Sequence, residues 1–411
     1  MPARPTTDIL HVVTLPSGGW DQALALRAVI NGTPNADAPT HDFHHHTLAI
    51  GPTGTRAGLE ALGVPVTHTL APLDTRLPGQ LDVPIIPSAR RVAAWLGHLS
   101  ATLPRPARLV VHAWSVDARD LMSRALGIAG LRATLLCTPL HPPRGPSDLA
   151  SPITATLAPL AERWTINAHT PPTFAPPPAQ SPTQQANLRA ALRQQLGLKP
   201  TELGVLLLAD PPAAGQARQF VSSVGMLHLA DIPAHAIVHQ DATDVHRAVR
   251  HSAAFSHPWD IFVTPRPLAA MLPAIDLAIW HGPDHPAPAG LLLAHAAAAA
   301  GIPVVAPSTA LSRWLLDVPG LAATQLALLT HDSSLPALAG PMHILGRDKR
   351  DHDGQRCAAV GTQLARHAAA LSAAHTPLAA LCAQLWTSAA QHRALRETPG
   401  TIASTVSSAA P

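Results

Sequence analysis

Tyrosine is absent from this 411-residue chain, and aromatic residues of all kinds make up only 3% of it. The apolar mass, 47% of the chain, is therefore Ala, Leu and Val, which suits helices packed on buried parallel strands. Lysine is nearly absent as well: Lys199 and Lys349 are the only two. Arginine carries the positive charge, a bias that, with the abundant Ala and Pro, reads as genomic base composition. The formal net charge is only +3 and no long basic run occurs, so nucleic acid is not an expected partner. The 25 histidines make the molecule more cationic in mild acid. The cysteines, Cys137, Cys357 and Cys382, are few, odd in number and far apart. They supply neither a disulfide framework nor a zinc spacing, and they fit a reducing compartment.

Long hydrophobic runs are lacking too. The most apolar stretch, PAGLLLAHAAAAAGIPVVAP at 288–307, is broken by Gly301 and Ile302-Pro303. It falls short of the about 20 unbroken apolar residues that a membrane span needs. It reads instead as a helix that stops at Gly301, followed by a buried strand over 302–306. Asp8 and His11 stand where a signal peptide would need an apolar run. A cytoplasmic protein without a transmembrane segment is expected; a peripheral membrane contact stays compatible with it.

What is present alternates short apolar runs with helical patterns, the signature of βαβ units and a parallel sheet. In the first half strands are expected at 8–15, 47–50, 63–66, 108–112, 132–137 and 163–166. Helices are expected at 20–29, 55–62 and 117–127, and a polar loop at 31–45. The stretch HTPPTFAPPPAQSPTQQ, 169–185, has no periodicity and many prolines, so it reads as a linker. The second half repeats the scheme, with strands at 204–209, 234–239, 260–264, 276–280 and 302–306. Helices are expected at 213–225 and 266–275, and one or two long ones over 355–397. The charged stretch GRDKRDHDGQR, 346–356, reads as a solvated turn. The expected division is an N-terminal Rossmann-like domain over 1–170 and a linker over 171–190. A C-terminal Rossmann-like domain over 191–345, helices over 346–397 and a disordered tail over 398–411 follow. In such doubly wound α/β folds, ligands bind beyond the carboxyl ends of the strands and in the cleft between domains.

Several residues stand at such positions. Gly18 and Gly19 link a strand to a helix; they can present backbone N–H groups to a phosphate or an acceptor, or simply make a tight turn. His112 ends the run RLVVH, where it can bind a sugar hydroxyl in the cleft or be satisfied by backbone. The loop HGPDHPAPAG, 281–290, carries His281, Asp284 and His285. These can contact sugar hydroxyls or form a solvated loop; the prolines argue against a helical His-x3-His metal site. Gly290 and Leu291 open the apolar helix, whose first N–H groups can hold phosphates, and His295 is its only polar side chain. The run His44-His45-His46 reads as a solvated loop before a strand, or as a transient metal holder.

The order of these segments resembles the GT-B glycosyltransferases, and among them the large retaining family 4 group. LPSGGWDQALALRAV resembles that family's glycine-rich loop and first helix, and RLVVHAWSVDARDLMSRALGI its strand ending in a histidine. RPLAAMLPAIDLAIWHG and GLLLAHAAAAAGIPVVAP resemble its donor-domain segments. The resemblance implies two Rossmann-like domains facing a cleft. The C-terminal one would hold a nucleotide sugar and the N-terminal one an acceptor, with transfer of a hexose and no essential metal or other cofactor. It also implies His112 as the catalytic-site residue near the reacting groups, and donor contacts at His281, Asp284, Gly290, Leu291 and His295. The chain departs from the family at set places. The family's two donor-helix glutamates, eight positions apart, fall on Pro288 and Ala296, and its phosphate-binding arginine and lysine give way to Asp210. Arg218 or Arg266 could replace those cations. A binding or scaffold protein that keeps the fold is the alternative, and an epimerase of nucleotide sugars a third.

Overall fold

The computed structural model describes residues 6–14, 20–31, 42–51, 55–71, 85–103, 109–131, 133–137, 181–208, 216–240, 244–254, 261–281, 290–318, 321, 328–332, 334–374, 382–383, 386–387 and 389. They form two parallel-sheet α/β domains. The first contains β1 (Thr6–Thr14), α1 (Trp20–Asn31), β2 (Asp42–Ile50), α2 (Thr55–Ala61), β3 (His68–Leu70), α3 (Ile85–Thr102), β4 (Val110–Ala113), α4 (Val116–Ala129) and β5 (Thr134–Cys137). Its sheet has the order β3-β2-β1-β4-β5.

The second domain begins with α5 (Pro182–Gln195), β6 (Leu203–Leu208), α6 (Gln216–Leu229), β7 (Ala234–His239), α7 (Val245–Ala253) and β8 (Ile261–Thr264). It continues with α8 (Leu268–Met271), a 3-10 turn over Leu272–Ala274, β9 (Leu277–Trp280), α9 (Leu291–Ala299), β10 (Val304–Pro307), α10 (Ala310–Leu316) and β11 (Leu329–Thr330). Helices α11 (Leu335–His352) and α12 (Gln355–Ala374) follow. The second sheet has the order β11-β10-β9-β6-β7-β8. All recorded strand pairs are parallel. Runs such as LGVLLL of β6 are apolar throughout because both faces of a parallel sheet are covered.

Two apolar clusters fill the interior. One lies between the first sheet and α3 and α4, built on Leu10, Val12, Leu48 and Val111. The other covers the opposite face through Ile9, Val13 and Trp114, and runs through α1 and α9 into the second domain. Residues Cys382, Trp386 and Ala389 belong to this second cluster, so the C-terminal stretch packs back on the N-terminal sheet.

Several elements differ from their sequence expectation. Residues 42–45, expected in a loop, form the first half of β2, where His45 turns inward. The third strand is His68–Leu70 and not 63–66, because Val64 N–H closes on Leu59 O and Thr67 N–H bonds Thr47 O. Helix α5 takes up 182–190 of the stretch read as linker: Ser181 and Gln184 cap each other reciprocally, and Pro182 sits in the first turn, where its missing N–H costs nothing. Residues 346–352 are helical, not a turn; Asp348 is buried there and accepts from Cys357 N–H at 2.9 Å. The expected strand at 163–166, the first part of the linker and the tail from 398 lie outside the described residues.

Asp276, just before β9, ties the base of the second domain together. Its carboxylate meets Arg193 Nη1 at 2.8 Å, Arg189, Lys349 Nζ at 3.5 Å and the Gly204 N–H at 2.9 Å. Burial pushes its pKa up, but Arg189 and Arg193, with Gly204 and Lys349, outweigh burial and hold it below the ordinary value. One side chain thus fixes α5, β6, β9 and α11 to each other.

Candidate functional site

Each sheet has one point where the chain order reverses, between β1 and β4 in the first and between β6 and β9 in the second. Crevices for ligands open at such points, at the carboxyl ends of the strands. At the first, Thr14 Oγ1 lies 2.8 Å from Ser115 Oγ, and Thr14 N–H donates to Gln22 Oε1 at 3.2 Å. Ser115 also caps α4 by accepting from Ala118 N–H. Gly18 and Gly19, in the loop that leads from β1 to α1, lie outside the described residues.

At the second reversal point, β9 ends in the fully buried Trp280, and His281 follows it, also buried. Asp284 lies outside the described residues. Gly290 then starts α9 with φ +76°, a left-handed conformation that glycine adopts without steric cost. Its carbonyl accepts the first helical bond, from Ala294 N–H at 2.8 Å, and as a glycine it brings no side chain to cap the helix. Leu291 is the first residue of α9. Helix α1 packs against α9 and α8. The helix that leaves the first crevice therefore touches the helix that leaves the second.

His295 is 3% exposed and lies against α12, with Nε2 at 3.4 Å from Ser372 Oγ. Burial lowers its pKa to about 4; a backbone bond to Ala368 opposes this and His367 adds to it. A buried carboxylate, Asp244, is the group that sequence reasoning misses. It accepts from Ala217 N–H at 3.3 Å and Arg218 N–H at 3.0 Å, and so occupies the positive end of α6, directly after β6. Asp244 stands at the N-cap of α7 yet makes no cap bond there. Of the proposed replacement cations, Arg218 is exposed, and Arg266 bonds Gln195 Oε1 at 2.7 Å beyond β8, the edge strand farthest from α9 on that side.

His112 is wholly enclosed, third of the four residues of β4. Its ring stacks on Trp114 with centroids 4.4 Å apart, and its Nδ1 accepts the indole N–H of Trp386 at 3.2 Å. His11 stands beside it in register on β1, accepting from the Trp114 indole at 3.3 Å and meeting His45 Nδ1 at 2.9 Å. Burial lowers the pKa of His112 to about 3. His44 and His46 face the other side of β2, toward Asp8, at 3.9 Å and 3.1 Å. Among the described residues no cluster of three or more His, Cys, Asp or Glu side chains is arranged to hold a metal ion. No helix among them is long and apolar enough to cross a membrane.

No protein-family model matches the chain, and no curated protein is similar to it in sequence. Solved structures do resemble it. Sucrose-phosphate synthase from Thermosynechococcus elongatus is 15% identical with a TM-score of 0.50, covering 95% of this chain and 100% of that one. A glycosyltransferase from Rickettsia africae ESF-5 is 11% identical with a TM-score of 0.50, covering 95% and 99%. The apo structure of OtsA is 11% identical with a TM-score of 0.50, covering 94% and 99%. At these identities the likeness is one of fold, and the fold is the GT-B architecture.

Proposed function

We propose that the chain is a hexosyltransferase of the retaining, family 4 kind, taking its donor from a nucleotide sugar. The observation that carries this reading is the start of α9. A left-handed glycine opens an apolar helix at the reversal point of the second sheet, against a helix from the other domain. The first N–H groups of such a helix favour a pyrophosphate without any side chain, so the reading tolerates Pro288 and Ala296 in place of glutamates. In this proposal Gly290 and Leu291 take the diphosphate, while His281 and Asp284 take the sugar. The acceptor sits over Gly18 and Gly19 and the Thr14–Ser115 pair. His295 braces α9 against α12, and His112 is a positioning residue beneath the acceptor crevice. Closure of the two domains would align donor with acceptor and exclude water.

The test is thermal-shift screening of the purified protein against UDP, GDP, ADP and their common sugar conjugates. A ligand at about 100 times its dissociation constant stabilises the fold by about 2.7 kcal/mol. A shift with one nucleotide identifies the donor class for an activity assay. No shift with any of them favours a binding protein that kept the fold and lost the donor.

A further inference from the structure

Trp386 of the C-terminal stretch donates a hydrogen bond to the N-terminal sheet, and that bond fixes the protonation of the histidine beneath it. An indole N–H only donates. Trp386 donates to His112 Nδ1, so that nitrogen carries a lone pair and the proton of His112 is on Nε2. Trp114 donates to His11 Nδ1, so His11 is protonated on Nε2 and donates from there to His45 Nδ1. Each of these contacts requires a neutral ring. The Trp386 ring also lies edge-on to His11, His45 and Phe43, with centroids 5.5, 5.3 and 5.2 Å away. We propose that Trp386 and the enclosed His112, flanked by His11 and the half-buried His45, form a proton-released latch, which lets Cys382 and Trp386 leave the N-terminal sheet in mild acid.

Protonated His112 would point an N–H at the indole N–H, turning an attraction into a repulsion. The rings of His11 and His112 are 5.8 Å apart, so charging both adds a second repulsion. The surrounding groups offer little relief. On β2, His44 and His46 face Asp8 on the far side of the sheet. Helix α1, packed on β1, brings the half-buried cation Arg27, and on α4 Arg119 is paired with Asp120 at 2.7 Å. The stretch itself brings Cys382, whose thiol burial pushes its pKa up.

Burial lowers the pKa of His112 to about 3. Burial, then His46 and His44, lower that of His45 to about 4. Burial, then His112, His45 and His46, hold His11 well below its ordinary value. Once Trp386 leaves, His112 returns toward about 6.5, and below that pH its protonation favours release by up to roughly tenfold per pH unit.

Cys382 reports the latch, because it is fully buried in the same stretch, four residues before Trp386. Cys357, buried between α11 and α12, reports the rest of the fold. The protein is pulsed with 4,4′-dithiodipyridine, which reacts with thiols in mild acid, and labelled peptides are weighed. Between about pH 7 and pH 5, Cys382 labelling should rise more than tenfold while Cys357 stays protected. His112→Asn, whose amide oxygen can accept the indole N–H but takes no proton, should flatten that rise. Trp386→Phe, which removes the donor and keeps the packing, should raise Cys382 labelling at pH 7 above the wild-type level, and it decides alone if the first variant does not fold. Joint labelling of both cysteines in the wild type, a flat wild-type profile, a wild-type slope in folded His112→Asn, or wild-type labelling at pH 7 in folded Trp386→Phe overturns the latch.

Discussion

Gly361 of α12 crosses the carbonyl of Gly301 so closely that a Cβ placed on Gly361 would lie 1.9 Å from that oxygen. Gly301 itself has φ +73° and ends the apolar helix α9, so both residues of the contact have to be glycine. The contact lets α12 lie flush on α9, where His295 and Ser372 meet. Gly361→Ala has no flexible side-chain end to push aside and must part the two helices. We expect a loss of about 3 kcal/mol or more in urea denaturation, at the top of the range for overpacking. A loss below about 1 kcal/mol would mean that the helices are not in this contact in solution.

Asp276→Asn should be at least as damaging. It leaves Arg193, whose side chain is 8% exposed, facing an uncharged amide, and breaking a buried pair from one side costs about 3–5 kcal/mol. The effect has a pH signature. The folded pKa of Asp276 is depressed, so its stabilisation is present above the unfolded value of about 3.9 and lost as pH falls through the folded one. The gap between wild type and variant should therefore be full at neutral pH and shrink only below about pH 4. Urea midpoints for both proteins across that range are the check, and a gap that does not change with pH would rule the ion pairs out as its cause.

His295 predicts acid sensitivity in a different window. Its folded pKa is lowered to about 4, so its contribution is complete above the unfolded value of about 6.5 and is lost as pH falls toward 4. Across that interval it makes stability fall by about 1.4 kcal/mol per pH unit. His295→Gln should remove about one proton's worth of slope from a plot of unfolding free energy against pH. An unaltered slope would mean that His295 is already charged in the folded protein.

How far the fold could be read depended on whether burial left a mark on residue type. Runs such as Leu203–Leu208 and Ala234–His239 were legible because a parallel strand covered on both faces is apolar along its length. The first half of β2 was not, because DFHHH looks polar although the half-buried His45 is kept neutral and packs its ring against His11 and Trp386. Helix α3 has no counterpart in the sequence reading, and α11 was hidden by Pro336, Gly340, Pro341 and its charged end. There Lys349 reaches Asp276 and Asp348 is buried, so tertiary contacts override the local breakers. At the candidate site, the start of α9 was visible from Gly290. Asp244 was not, because the N–H groups it holds belong to another helix, 26 and 27 residues earlier.

Asp244 leads to a prediction in which stability and binding move in opposite directions. Its carboxylate holds two N–H groups at the start of α6, so Asp244→Ala should cost about 1 kcal/mol, as the loss of a cap does. The same change opens a second helix end at the crevice between β6 and β9 to a ligand phosphate. Under the nucleotide-sugar reading, the variant should melt lower without ligand yet gain more from pyrophosphate than the wild type does. A variant that melts lower and gains nothing would assign Asp244 to capping alone.

Gly290 provides the sharpest test of the donor proposal, because two effects of one substitution can be separated. At φ +76°, any side chain strains the backbone, by roughly 1–2 kcal/mol. Gly290→Ala should therefore lower the unliganded melting point modestly. If the diphosphate sits on the first N–H groups of α9, the variant should also lose most of the nucleotide-induced shift, because the strained turn no longer presents those groups in place. A substitution in a loop away from both crevices, matched for lost stability, serves as the control. Equal nucleotide shifts in Gly290→Ala and the control would exclude the α9 end as the phosphate site, even if the protein binds a nucleotide elsewhere.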